Sequence, residues 1–334
     1  MVPLLNRPFL AYQLALLRQH GVTDVILACS YRVDDVRAAL GEAEHLGVRL
    51  RYVIEAEPLG TGGGIRNAAD LARGTVWVLN GDVLTDADLS AMRDFHRARG
   101  SRTTIFLRPV DDPRQYGLVE TDAQGRLLRF REKPAPHEPI ETNTINAGIY
   151  LMDAELLARI PTRQVVSVER EVFPSLIADG VPCFGWAADA YWRDIGSPAA
   201  YRAAQLDLLA GQAKTPLSTP GELRDGCWVE PSAFVASGAR LEAPAVIGAE
   251  AAIQVRAQVG PLTVLGDRTR IGAGARVEGA IIWEGVEVGE GSVLRDCVIG
   301  ADVRIGADVD VPPGVILESG AVVPDHTRLT AFPR

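Results

Sequence analysis

Three short stretches bring together groups that handle phosphates and divalent cations. The run Glu55-Ala56-Glu57-Pro58-Leu59-Gly60-Thr61-Gly62-Gly63-Gly64 places four glycines in five positions ahead of an amphipathic segment. Glycines there let backbone N–H groups approach a flat or anionic ligand at a helix N-terminus. The apolar run Val76–Leu79 leads into Asn80-Gly81-Asp82, which puts a carboxylate at a strand end, where α/β sheets bind ligands. Tyr191-Trp192-Arg193-Asp194-Ile195-Gly196 repeats that pattern. Asp82 and Asp194 on neighbouring strand ends could hold one Mg²⁺ between them, with phosphate oxygens completing its octahedral shell. Singly, each would do no more than cap a turn. In Arg131-Glu132-Lys133-Pro134, Pro134 stops strand pairing and leaves Glu132 and Lys133 at a rim. Lys133 could neutralise a phosphate there and Glu132 could accept from hydroxyls, although the tripeptide alone would equally suit a solvated edge. Tyr116-Gly117 and Asn146-Ala147-Gly148 offer close backbone approach with an amide beside it.

These groups need strands and helices to position them, and the first two hundred residues alternate the two periodicities. Helical patterns cover Pro8–His20, Val33–Leu40, Gly62–Leu71, Asp86–Arg99, Val168–Asp179 and Pro198–Leu209. Strand patterns cover Asp24–Cys29, Val48–Ile54, Val76–Leu79 and Thr103–Leu107. This order predicts an α/β domain with a Rossmann-like, mostly parallel mixed sheet covered on both faces. From Gly117 to Tyr150 the pattern shortens around Asp122-Ala123-Gln124-Gly125, a hairpin turn. Gly211–Pro220 reads as a linker.

Beyond the linker, aliphatic residues recur every six positions. They are Val229, Val235, Leu241, Ile247, Ile253, Val259, Leu265, Ile271 and Val277, then Ile282, Val288 and Leu294, then Ile299, Ile305, Val311, Leu317 and Val323. A five-residue step resets the phase twice. A sandwich would show period two. Period six is the hexapeptide signature of a left-handed parallel β-helix, in which inward aliphatics stack coil on coil. The expected organisation is a domain over 1–210, a linker over 211–225 and a β-helix over 226–334.

Composition narrows the partners. The chain has 334 residues, 47% apolar and 23% charged, with a net charge of −9. That balance argues against nucleic acid or an anionic membrane as the main partner. No apolar run is long enough to span a bilayer, and Asn6-Arg7-Pro8 interrupts any signal peptide. Cys29, Cys183, Cys227 and Cys297 are dispersed without a CxxC, which predicts a cytoplasmic protein with no zinc site. A hexapeptide acyltransferase would place a histidine in a coil, and residues 226–325 contain none.

Taken together, Glu-Pro-Leu-Gly-Thr-Gly-Gly, Asn-Gly-Asp, Tyr-Gly-x-Val, Glu-Lys-Pro, Asn-Ala-Gly-Ile-Tyr, Ser167-Val168-Glu169-Arg170-Glu171-Val172-Phe173-Pro174 and Trp-Arg-Asp-Ile-Gly resemble, in order, the sugar-1-phosphate nucleotidyltransferases. Over almost the whole length the chain looks most like the mannose-1-phosphate guanylyltransferases with a β-helix tail. The resemblance implies the reaction of an NTP with a sugar 1-phosphate to give an NDP-sugar and pyrophosphate. It implies Mg²⁺ on Asp82 and Asp194, and catalysis by these two with Lys133. A base site would lie at Gly60 and Thr61. The remaining substrate contacts would come from Gly62, Gly81, Gly117, Glu132, Asn146, Gly148 and Glu169, in a homo-oligomer. The resemblance also puts Glu55 at a base edge. A carboxylate only accepts, which suits guanine's two adjacent donors and favours GTP.

The family opens with a strand and a glycine-rich loop carrying an arginine and a lysine, whereas Met1–Pro8 resembles the segment just after that loop. The expectation is therefore a start codon placed too far downstream and a gap in the sheet between Asp24–Cys29 and Val76–Leu79. Poor NTP binding and little transfer by the 334-residue chain would follow. The alternatives are a non-catalytic NDP-sugar-sensing subunit, or a glucose-1-phosphate thymidylyl-, uridylyl- or adenylyltransferase.

Overall fold

The computed structural model describes residues 1–330. Two compact units divide the chain. One comprises Leu10–Asp194 with Met1, and the other comprises Val2–Phe9 with Ile195 onward. The division falls earlier than the linker expected at 211–225, because the last helix belongs with the β-helix and the N-terminal hairpin.

The first unit contains α1 (Phe9–Gln19), which follows the hairpin strands β1 (Pro3–Leu4) and β2 (Arg7–Pro8) of the second unit. Then come β3 (Asp24–Cys29), α2 (Val33–Leu40), β4 (Arg49–Ile54), α3 (Gly60–Ala68), β5 (Thr75–Leu79) and β6 (Val83–Thr85). After these follow α4 (Leu89–Ala98), β7 (Thr103–Pro109), β8 (Gly117–Thr121), β9 (Leu127–Glu132), β10 (Thr144–Asp153), α5 (Ala154–Leu157), a π-helix (Val168–Val172), α6 (Phe173–Ala178), β11 (Cys183–Ala187) and β12 (Trp192–Asp194).

The main sheet runs β11-β7-β10-β8-β9, and β5 also pairs with β10. It is mixed as expected: β5, β7, β8 and β11 run one way, and β9 and β10 run the other. The ten-residue β10 sits between β5 and β7, so most ladders in this sheet are antiparallel, not parallel as expected. β3 and β4 form a separate parallel pair. Among the described residues, β3 pairs with β4 alone and β5 with β10 alone, so each keeps an open edge. Yet Val25 of β3 packs on the same apolar cluster as Trp77 and Leu79 of β5, together with Leu16, Leu17 and Phe106.

In the second unit, α7 (Pro198–Leu209) ties the β1–β2 hairpin to the solenoid. Tyr201 Oη and Gln205 Nε2 donate to the Pro3 carbonyl, Gln205 Oε1 accepts from Leu5 N–H, and Trp283 Nε1 donates to Tyr201 Oη. The solenoid is a parallel β-helix of three sheets. Stacked residues lie eighteen apart (Ala245 on Thr263), but seventeen apart where the five-residue steps fall (Val264 on Ile281, Ile281 on Val298). All the expected inward aliphatics are buried except Val235, Leu241 and Leu317, which lie in the first and last coils, where a stacked neighbour is lost.

Ile271 is 0% exposed in the middle of this column. Ile271→Asp would bury an unpaired charge, at an expected cost of roughly 3–5 kcal/mol, against about 1 kcal/mol for Ile271→Val. Denaturant unfolding of both variants checks this, and equal losses would refute the inward stacking at that position.

Candidate active site

The Asn80-Gly81-Asp82 turn joins β5 to β6, and β6 pairs antiparallel with β12 so that Asp194 lies opposite Val83. This register brings the two carboxylates to adjacent strand ends without sequence proximity. Desolvation by the surrounding chain, then the charge of Asp194, raises the pKa of Asp82. Two neighbouring carboxylates are a hard-oxygen donor set suited to a small divalent cation, with the other ligands coming from phosphate or water. Among the described residues, no group of three or more His, Cys, Asp or Glu side chains could hold a metal.

The turn is held on several sides. A bulge interrupts the β10–β7 register between Asn146 and Tyr150. Within it Gly148 has φ +73, and a Cβ there would meet Asn80 Nδ2 at 2.9 Å. Asn80 N–H donates to the Gly148 carbonyl at 2.8 Å. Asn146 Oδ1 accepts from Gly148 N–H, and its Nδ2 donates to Tyr150 Oη at 2.8 Å. Tyr150 is fully buried, and burial with the charges of Glu169, Glu132 and Asp82 raises its pKa far above the usual phenol value. Trp192 Nε1 donates to the Ala147 carbonyl at 2.8 Å, and its ring meets Tyr116 edge-on at 5.6 Å.

Glu132 and Lys133 leave the end of β9 beside Gly117 of β8, whose added Cβ would meet Glu132 Oε2 at 2.6 Å. Desolvation and the charge of Glu169 raise the Glu132 pKa, while Lys133 and Arg170 oppose the rise. Lys133 is exposed, with φ +48. Glu169, Glu132 and Asp82 thus lie near enough for their charges to act on the Tyr150 hydroxyl, which Asn146 bonds directly.

The glycine run does something different from the expectation. Gly62 and Gly63 N–H groups both donate to the Val166 carbonyl, at 2.8 and 3.3 Å, so they are satisfied within the chain rather than by a ligand. A Cβ on Gly60 would meet Val166 O at 2.7 Å, one on Gly62 would meet Val166 Cγ1 at 2.9 Å, and one on Gly63 would meet Gln164 O at 2.8 Å. The missing side chains thus form a groove for residues 164–168. Thr61 Oγ1 donates to Glu169 Oε2 at 2.7 Å and accepts from Val168 N–H. Ser167 Oγ also donates to Glu169 Oε2, so one Glu169 oxygen takes two bonds. Ser167 caps the π-helix by accepting from Arg170 N–H, while Glu171 Oε1 accepts from Ser167 N–H.

Glu55, expected at a base edge, is 9% exposed and bonded locally. Its Oε2 accepts from Leu59 N–H at 3.0 Å, and a Cβ on Gly64 would meet its Oε1 at 2.7 Å. It shapes the loop that opens α3.

Sequence reasoning missed Gln13. This side chain is 8% exposed in α1, and its Nε2 donates to the carbonyls of both Asn80 and Val83. The available signal was a lone amide in a helix whose residues 11–17 are all buried, where a polar group must find partners.

Residues 1–211 match the Nucleotidyl transferase family, and residues 224–329 match the EIF2B subunit epsilon LbH domain. The chain is 41% identical over 254 residues to a mannose-1-phosphate guanylyltransferase of Mycobacterium tuberculosis, covering 74% of this chain and 70% of that one. It is 31% identical over 264 residues to a UTP–glucose-1-phosphate uridylyltransferase of Synechocystis, covering 74% and 68%. A mannose-1-phosphate guanyltransferase of Aspergillus fumigatus is 34% identical, and there the chain spans 65% of the relative's length. Among solved structures, HddC from Yersinia pseudotuberculosis complexed with GMP-PN is similar at 27% identity and a TM-score of 0.53, over 62% of this chain and 88% of that one. With the carboxylates of Asp82 and Asp194 at adjacent strand ends, the chain belongs to the nucleotidyl transferase family and carries a C-terminal β-helix.

Proposed function

We propose that this chain transfers a nucleotidyl group from GTP to mannose 1-phosphate, giving GDP-mannose and pyrophosphate. The observation that carries this reading is the β6–β12 register, which pairs Asp194 with Val83 so that its charge bears on Asp82, while Asp82, Glu132 and Glu169 all act on the Tyr150 hydroxyl. The guanine and mannose assignments rest on the names of the guanylyltransferase relatives and on the GMP-PN held by the similar HddC.

In this reading a sugar phosphate oxygen attacks the α-phosphorus of GTP in line. The α–β phosphoanhydride bond breaks, and pyrophosphate leaves with the bonding electrons. The attacking phosphate is already ionised at neutral pH, so the chain need supply no general base. Lys133 neutralises the sugar phosphate, while Glu132 and Asn146 orient the sugar through its hydroxyls. Asp82 and Asp194 would hold Mg²⁺, which when bound neutralises the charge spreading over the phosphates. The unpaired thiols fit a reducing cytoplasm, and no helix among the described residues is long and apolar enough to cross a membrane.

The test is pyrophosphate release with Mg²⁺, GTP and mannose 1-phosphate, against UTP with glucose 1-phosphate. The open edges of β3 and β5 are the reason to run it on the 334-residue chain and on one extended through any in-frame upstream sequence. Release that prefers the guanine and mannose pair supports the reading. Silence in both lengths, with GDP-mannose still bound, would establish the sensing-subunit alternative instead.

A further inference from the structure

We propose that Gln13 is a positioning residue for the cation site, holding the Asn80–Val83 turn in the shape that aims the Asp82 carboxylate; this rests on the metal role given to Asp82 above. The geometry is specific. One nitrogen, Gln13 Nε2, donates to the Asn80 carbonyl at 2.8 Å and to the Val83 carbonyl at 2.9 Å. A primary amide nitrogen carries two hydrogens, so both are committed. The two accepting carbonyls bracket Gly81 and Asp82, and bridging them from a helix closes the turn across its mouth. Gln13 is itself immobilised, lying 8% exposed in α1 among Leu14, Leu16 and Leu17, all buried.

The opposite side of the turn is fixed by the Asn80 N–H bond to the Gly148 carbonyl and by the β6–β12 ladder. Gly81 has open space where a Cβ would be, so side-chain packing does not restrain it. Nothing at Gly81 itself would stop this glycine from rotating, and the Gln13 bridge supplies the restraint. A carboxylate whose backbone is already ordered loses less entropy when it takes up a cation. Without the bridge the turn samples more conformations, and cation affinity falls without any loss of ligands.

Gln13→Met keeps the volume and removes both donors, while Gln13→Leu removes the same donors without adding a charge beside the site. The probe is Mn²⁺ alone, titrated into the protein and followed by its electron paramagnetic resonance signal, with Asp82→Asn as the reference for a lost ligand. Thermal unfolding establishes that each variant is folded. The expected result is about tenfold weaker Mn²⁺ binding in Gln13→Met and in Gln13→Leu, still cooperatively folded. In turnover, the Mg²⁺ concentration for half-maximal rate should rise by a similar factor, with KM for the sugar phosphate unchanged and the rate restored by excess Mg²⁺. A merely structural role would lower Tm and leave the metal dependence alone. Wild-type Mn²⁺ affinity in a folded Gln13→Met, with Asp82→Asn weakened, would overturn the positioning role alone. Wild-type affinity in Asp82→Asn would overturn the cation reading, and the Gln13 proposal with it.

Discussion

Asp82→Asn should lose turnover about a thousandfold and yet unfold at a slightly higher temperature than the parent chain. The first effect follows from removing one of two carboxylates that hold the cation. Neutralising charge on the transferring phosphates is worth several kcal/mol, and about 4 kcal/mol is a factor of a thousand in rate. The second follows from the electrostatics of the unliganded site. Desolvation and the charge of Asp194 push the Asp82 pKa up, and desolvation with Glu169 does the same for Glu132. A carboxyl whose folded pKa lies above its unfolded value contributes stability below the unfolded value, about 4. That contribution is lost as pH rises through the folded value. At neutral pH the ionised pair therefore strains the fold, and an amide at position 82 relieves it. Asp82 is exposed, so screening limits the gain to about 0.5 kcal/mol, or roughly 1–2 °C in Tm. Mg²⁺ should raise the Tm of the parent chain and leave that of Asp82→Asn unmoved. Thermal scans at pH 7 with and without Mg²⁺, beside the pyrophosphate assay, check both halves. A variant that turns over normally would remove Asp82 from the chemistry, and one that unfolds earlier would show that its carboxylate stabilises the fold.

What the sequence disclosed follows from which signals are local. The six-residue period in 229–323 is set by one coil face at a time, so inward positions and even the shortened coils were readable before any coordinates. Asp82 and Asp194 were readable because each ends an apolar run beside a glycine. Pairing is not local, and it is where the reading stopped. Nothing in Thr144–Asp153 announces that β10 lies antiparallel between β5 and β7, or that its bulge sets Gly148 against Asn80. The segment 168–179 carries one helical period throughout, but its first turn is a π-helix. There Ser167 and Glu171 cap the start while Glu169 is drawn to Thr61 and Ser167. A glycine run has two physical uses, approach by a ligand and approach by the chain itself. Composition cannot separate them, and here three of the four glycines at 60–64 lie against 164–168.

That second use makes Gly60→Ala the other large prediction. Gly60 adopts φ +73, and an added Cβ would sit 2.7 Å from the Val166 carbonyl oxygen, closer than such atoms approach. The oxygen cannot simply retreat, because it accepts from both Gly62 and Gly63 N–H. The clash must therefore either open those bonds or push residues 164–168 outward. Thr61, next in sequence, bonds to Glu169 and Val168, so the displacement reaches the Glu169 carboxylate beside Glu132. Gly74 separates the two costs. It has nearly the same backbone conformation, φ +65, and nothing lies within 4 Å of its added Cβ. Gly74→Ala should lose about 1 kcal/mol, the left-handed penalty alone. Gly60→Ala should lose roughly 3 kcal/mol and reduce turnover about a hundredfold, the scale expected of a displacement near 1 Å in a site that works by positioning. Denaturant unfolding and pyrophosphate release on the two variants decide the matter. Equal behaviour would mean that the glycine groove is loose and that the 164–168 segment does not hold Glu169 in place.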